Sequence, residues 1–344
     1  MAAPGDIGAY GYGIAAGVGA NREDLLDLIS NISPFDTPFV TSAPKVRANG
    51  VLHQWLIDTL AATASAGSLE GDDWTFNTAT TRPSRIVNYT MIFRKDIMVS
   101  ETERAINAAG FKDAYQYELM KATREIARNI EAYQFLVTGN GTAGIVTNTG
   151  ATNTVRQSLN LGNFLTATAN VGTYPTMTAS YTELFASASS SAAVLTTVMF
   201  NNALEQAFDN GGNPEQAFVS PKIKRQISQF TATNQNRNIA AIEKKLVNAV
   251  DLYFSDFGLV EIVLDRWVPE ATNTVTTTAA SDCRGNIYFL ERAKNRLAWL
   301  RPMQHTLIGK RGDSVGGIIL GEVALECLAP TANVRLAGVN NITA

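Results

Sequence analysis

Histidine is nearly missing from this chain: His53 and His305 are the only two in 344 residues. Cysteine is equally scarce, with Cys283 and Cys327 alone. A zinc centre of familiar ligand spacing is therefore not expected, and two cysteines give no disulfide framework, a usage that fits a reducing cytosol. Charge is also sparse at 17%, and the balance of 28 basic to 31 acidic residues leaves a net −3. No global basic field draws the chain to nucleic acid. No apolar run approaches eighteen residues, so no membrane span is expected. The opening MAAPGDIGAY lacks a basic stretch followed by an apolar core and is not read as a secretion signal. What remains is a folded, globular composition, 45% hydrophobic, long enough for two domains or one elaborate one.

The longest stretch free of Gly and Pro after its opening is Phe111–Gly139. Leu119, Ile126, Ile130, Tyr133 and Val137 recur at helical spacing, and Lys121 and Glu125 stand four apart on a more polar side. Roughly 28 residues at 1.5 Å each would make a rod of about 40 Å. So long a stripe needs a large domain or a neighbouring molecule to cover it.

Around this helix the chain reads in order. Residues 1–20 are Gly- and Ala-rich and predict a flexible arm. Asn21 caps a short helix, and the two prolines of Pro34–Phe39 then give a stiff segment whose Phe35 and Phe39 must dock somewhere. Val51–Leu60 and Ile86–Val99 read as strands. The gap of about 25 residues between them, with Glu70, Asp72, Asp73 and Trp74, is too long for a tight hairpin. We read 46–98 as a two-stranded loop reaching away from the body, a unit marginal in water without a partner surface. Ser100-Glu101-Thr102-Glu103 and Ser180-Tyr181-Thr182-Glu183 are capping-box patterns. Thr197–Asp209 and Pro221–Phe230 read as helices. Val247–Phe254 and Leu259–Leu264 flank a hairpin turn at Ser255-Asp256-Phe257-Gly258. Asn286–Leu290, Leu297–Leu300, Met303–Ile308, Ile318–Leu328 and Asn333–Val339 read as strands.

No constellation supports catalysis, a cofactor or a metal. Gly139-Asn140-Gly141-Thr142-Ala143-Gly144 matches a dinucleotide fingerprint, but a helix precedes it and a loop follows, the reverse of the order phosphate binding needs. A nucleotide-binding enzyme using this loop is the alternative reading. Glu70, Asp72 and Asp73 read as a solvated acidic loop, since they lack a calcium-loop pattern. Arg311-Gly312-Asp313 sits in a Gly-rich turn, and reading it as an adhesion motif would require secretion. His53 reads as a packed or hydrogen-bonded side chain, since no nucleophile motif accompanies it.

Several local patterns occur together in one order: Glu23-Asp24-Leu25, Ile29-Ser30-Asn31-Ile32-Ser33-Pro34, Asp36-Thr37-Pro38-Phe39, Gln54-Trp55, Asp58-Thr59-Leu60-Ala61, Glu70-Gly71, Val99-Ser100-Glu101-Thr102, Gly211-Gly212-Asn213-Pro214, Val219-Ser220-Pro221 and Tyr253-Phe254-Ser255-Asp256-Phe257-Gly258. This succession, over roughly 22–330, resembles the major capsid proteins of tailed bacteriophages, specifically the group typified by coliphage SU10 on the Hong Kong 97 (Johnson) fold. Gly139–Ser191 departs from the pattern, being longer and richer in Thr, Ser and Gly.

The resemblance implies an α+β fold with an N-terminal arm (1–45), an extended β-hairpin loop (46–98), a peripheral domain (99–179 and 301–344) with a spine helix at 111–139, and an axial α/β domain (180–300). It implies a non-enzymatic subunit that assembles in the host cytoplasm into the hexamers and pentamers of an icosahedral virion head around double-stranded DNA. Its partners would be other copies of itself, portal, scaffolding and decoration proteins, and packaged DNA touched without sequence readout, with no membrane. Phe35, Phe39, Trp55, Glu70, Asp72, Trp74 and Arg94 would contact neighbouring subunits. Leu119, Ile126, Ile130 and Tyr133 would form the apolar stripe of the spine.

Overall fold

The computed structural model describes residues 34, 36–58, 60, 70–71, 73, 83–106, 113–136, 155–165, 183–185, 195–233, 251–269, 285–310 and 312–339. Its organising element is a helix at Ala114–Phe135, preceded by helices α1 (Pro38–Ser42) and α2 (Glu101–Ala105), so it is α3. At 22 residues, about 33 Å, α3 is shorter than the sequence stretch suggests. The side chain of Asp113 accepts the N–H of Tyr115 and caps its start. That bond, helped by Arg104, holds the Asp113 carboxyl below its ordinary range. At the far end Asn160 donates to the carbonyls of Tyr133 and Leu136 at 2.7 Å each, and the Tyr288 hydroxyl reaches the carbonyl of Phe135. Side chains from elsewhere thus satisfy the last turn and end the helix at Phe135. Ile126 and Ile130 of the expected stripe are buried, Leu119 and Tyr133 are partly buried, and Val137 lies outside the described residues.

One face of α3 lies on a four-stranded sheet of order β1-β10-β11-β4, built from β1 (Lys45–Arg47), β4 (Met91–Ser100), β10 (Asn295–Ile308) and β11 (Ser314–Cys327). Glu125 meets Lys95 of β4 at 2.6 Å, while Lys121 pairs with Glu118 instead of Glu125, because the adjacent strand supplies the better partner. β10 runs through the point where the sequence suggests a break. The missing N–H of Pro302 is absorbed by register shifts between Trp299 and Gln304, and the strand continues. Ile86–Val99 is not one strand. The N–H of Thr90 donates to Val51 and its hydroxyl to Glu322, turning the chain there. Among the described residues β3 (Ser84–Tyr89) consequently pairs only with β2 (Leu52–Ile57), and β4 joins the larger sheet.

The second sheet has six strands in the order β5-β12-β9-β6-β8-β7: β5 (Glu183–Phe185), β6 (Gln216–Val219), β7 (Leu252–Ser255), β8 (Gly258–Leu264), β9 (Gly285–Leu290) and β12 (Val334–Val339). After a short α4 (Leu161–Phe164), helices α5 (Thr197–Asp209) and α6 (Pro221–Thr233) supply Phe200, Leu204, Ile223 and Ile227 to one apolar cluster with Val260, Ile262, Phe289 and Leu336. α5 ends in a Schellman motif, Gly212 N–H to Ala207 and Gly211 N–H to Phe208. Gly211 takes φ +75°, and any Cβ on Gly212 would lie 2.2 Å from the carbonyl oxygen of Ala332.

Two expectations are corrected here. Glu183–Phe185 is not the start of a capped helix, because it adds as a parallel edge strand to β12, a pairing invisible in the local pattern. Residues 301–344 also do not stay together: β12 leaves the four-stranded sheet for the six-stranded one, while β10 begins at Asn295, before the expected border.

Candidate functional site

The strap segment 36–42 crosses from α3 to the six-stranded sheet. Pro38 opens α1, where a missing N–H costs nothing. Phe39 inserts among Phe135 and Phe218 with ring centroids 5.7 and 5.8 Å away, and Tyr288 continues the aromatic cluster at 5.2 Å from Phe135. The two N–H groups that open this helix turn, Phe39 and Val40, both donate to Glu131 of α3 at 2.7 Å. Beside Glu131 stands Asp265, at the end of β8, which accepts the N–H of Trp267. Both carboxyls are buried. Burial pushes Glu131 up to about 8 against the lowering effect of the two N–H groups, with the charge of Asp265 raising it further. Burial raises Asp265 as well. Trp267 Nε1 donates to the carbonyl of Asp36, and Arg292 Nε to that of Ser42. A cleft of about 490 Å³ lies along the strap between Asp36, Thr41, Leu264 and Arg292.

The two-stranded unit β2–β3 is fastened at its root. Trp55 Nε1 donates to the carbonyl of Cys327, and the ring lies near Phe164. His53 Nε2 bonds Glu326 at 2.9 Å. Asn88 accepts the N–H of Leu159 and donates to the carbonyl of Leu325. Glu322, buried on β11, takes Arg301 at 2.9 Å, Arg156, and the hydroxyl of Thr90. Burial pushes the neighbouring Cys327 thiol to about 12, so it is no nucleophile.

Beyond these roots, apolar side chains are bare. Leu56 and Leu60 of the loop are exposed, Leu60 almost completely at 99%. Met98 of β4 is 78% exposed and shares an open face with Arg94 and Asp96, which pair at 3.2 Å. At the β7 edge Phe254 is 85% exposed, directly opposite exposed Leu259.

The residues expected to meet neighbours divide accordingly. Phe39 and Trp55 are corrected: both are buried in their own chain, where they fasten the strap and the loop root. Glu70 and Arg94 lie exposed. Phe35, Asp72, Trp74 and the Gly139–Gly144 loop lie outside the described residues. His53 is hydrogen-bonded, as its sequence context suggests. Glu131 and Asp265 escape sequence reasoning, because nothing local marks two acids 134 positions apart as neighbours. Arg311 is outside the described residues, but the turn is seen at Gly312, φ +67°, and Asp313, which accepts from Thr102.

This arrangement is the mixed α and β fold of capsid-type shell proteins. The chain aligns with a capsid subunit of cyanophage A-1(L) at TM-score 0.62 and 13% identity, covering 93% of this chain and 97% of that one. It aligns with the SrpI encapsulin of Synechococcus elongatus at TM-score 0.55 and 9% identity, over 94% of each. Such identities establish the fold alone. The family is established by sequence: the model of the SU10 major capsid protein matches residues 12–340, and the chain belongs to that family of tailed-phage major capsid proteins. It is also 31% identical over 127 residues to the major capsid protein of Escherichia phage Phieco32, a match over 36% of this chain that spans about a third (35%) of that relative's length. The nucleotide-binding alternative finds no support in these comparisons.

Proposed function

We propose that copies of this chain join head-to-tail into pentamers and hexamers that close into the icosahedral head of a tailed bacteriophage around double-stranded DNA. The carrying observation is the two-stranded unit. It is anchored at its root by Trp55, His53 and Asn88, yet carries bare Leu56 and Leu60 outward. Two strands alone are marginal in water, so a neighbouring copy is the natural cover, and heterologous contacts of this kind close into rings. In this reading 1–45 is the arm, 46–98 the extended loop, the four-stranded sheet with α3 the peripheral domain, and the six-stranded sheet the axial domain. Glu70, Asp72, Trp74 and Arg94, with Phe35, meet neighbours. Portal, scaffolding and decoration proteins are further partners, and the inner wall touches DNA through phosphates without reading bases. The subunit performs no catalysis, assembles in the host cytoplasm and resides in the virion.

Replacing residues 61–82 by a short Gly-Ser link leaves β2 and β3 whole. We expect folded subunits with unchanged circular dichroism that fail to sediment as stable shells. Shells of wild-type yield and stability would overturn the loop assignment.

A further inference from the structure

The strap is held by an arrangement that packing alone does not explain. Glu131 spends both carboxylate oxygens on the N–H groups of Phe39 and Val40. Asp265 uses Oδ1 on the N–H of Trp267, and the N–H of Arg266 also faces its carboxyl, while its buried Oδ2 has no hydrogen-bond partner among the described residues. Arg128 of α3 lies over Trp267, and Trp267 bonds both Asp265 and the strap's Asp36, so the two buried carboxyls stand side by side and each perturbs the other. Two ionised carboxylates cannot stably share a buried site without a cation.

The surrounding charges do not supply one. From the strap, Asp36 adds negative charge. Arg266, next to Asp265, turns to Asp36 at 3.7 Å, both on the surface. Arg292 donates to the carbonyl of Ser42. Arg128, one turn before Glu131 on α3, lies over the ring of Trp267 at 5.6 Å. Among the described residues no cluster of three or more acidic, histidine or cysteine side chains is placed to hold a metal ion.

We propose that Glu131 and Asp265 share a single proton, and that this proton latches the strap at once to α3 and to the six-stranded sheet. The proton turns a repulsive pair into a carboxyl–carboxylate hydrogen bond and gives the orphan oxygen of Asp265 its partner. The strap is bound through Glu131, so the joint between the two sheets and the strap responds to pH as one unit. Glu131 lies above the ordinary carboxylate range, so the shared proton is held near neutral pH and is lost as pH rises through about 8. The latch lies within one subunit and holds whether or not that subunit builds a shell.

Asp265→Asn isolates the proton. The amide oxygen keeps the bond from Trp267, and its NH₂ replaces Oδ2 and donates to an ionised Glu131, so no shared proton is needed. Hydrogen–deuterium exchange of the peptide spanning Phe39 and Val40, in the full chain, compares the two proteins at equal pH so that intrinsic exchange chemistry cancels. Near pH 6.5 the wild type and Asp265→Asn should protect these amides alike. Near pH 9.5 the wild type should lose more than about tenfold relative to the variant. Profiles that stay within about twofold of each other over the whole range overturn the latch. Should Asp265→Asn fail to fold, difference infrared spectroscopy on the wild type decides: a protonated-carboxyl band at neutral pH, lost in Glu131→Gln, supports the shared proton, and its absence overturns it.

Discussion

In the six-stranded sheet, β9 and β12 are buried along their whole length, and α5 and α6 close one face. In the four-stranded sheet, β10 is buried at Leu297 and Ala298 but exposed at every position from Arg301 to Ile308, Leu307 and Ile308 included. The chemistry of their interiors differs too. Beneath α5 and α6 the side chains that pack together are apolar, with Phe200 edge-on to Phe289 and Tyr253, and Ser220, Gln226 and Asn286 are buried beside them as neutral polar groups. The roots around β11 hold Glu322 and Glu326 inside, each answered by Arg or His. The first region is an ordinary domain core between sheet and helices, with bare apolar side chains at its β7 edge, Phe254 and Leu252 among them. The second is an anchored platform whose free end and outer face end in uncovered apolar side chains, a pattern that marks contact surfaces. The difference separates stability from assembly, and the two can be broken independently.

The largest effect falls on the closed core. Phe200→Ala should cost about 3–5 kcal/mol in urea unfolding of the subunit, the usual range for emptying a buried phenylalanine site. It should lower the yield of shells only by lowering the folded population. A smaller loss is expected at the platform. Glu322→Ala leaves Arg156 and Arg301 facing each other, and because Arg301 is half exposed to solvent we expect about 2 kcal/mol rather than the full cost of a buried orphan charge. The destabilisation should shrink in the double variant Glu322→Ala, Arg301→Ala if the pair is the cause; equal losses would place it elsewhere. The smallest effect on stability, within about 0.5 kcal/mol, belongs to Met98→Ser and Phe254→Ser, since both side chains already lie in water. These two should nonetheless reduce shell formation measured by light scattering. Unchanged assembly in both would remove them from the interface.

Much of the scaffold was legible because its signals are local. Gly258 after Ser255-Asp256-Phe257, Gly211-Gly212 after Thr197–Asp209, and Ser100 with Glu103 each act within a few residues of themselves. What escaped depends on residues far apart. Thr90 splits a continuous apolar run because Val51 and Glu322 wait for it, Pro302 interrupts the pattern of a strand that nevertheless continues, and Glu183–Phe185 becomes a strand only because β12 is there to receive it. Phe39 illustrates the same limit at the site. Its need to dock could be read, but its partner is the subunit's own aromatic cluster, brought together by α3, β6 and β9. Glu131 and Asp265 carried no sequence signal at all, since each alone is an unremarked acid.

The most direct test of shell building is electron cryo-microscopy of the purified full-length chain under assembly-promoting salt and crowding. The account predicts closed particles, tubes or isolated rings with five- and six-fold units, in which the β2–β3 loop of one subunit lies on the body of the next. Uniform monomers that never associate under any of these conditions would contradict it.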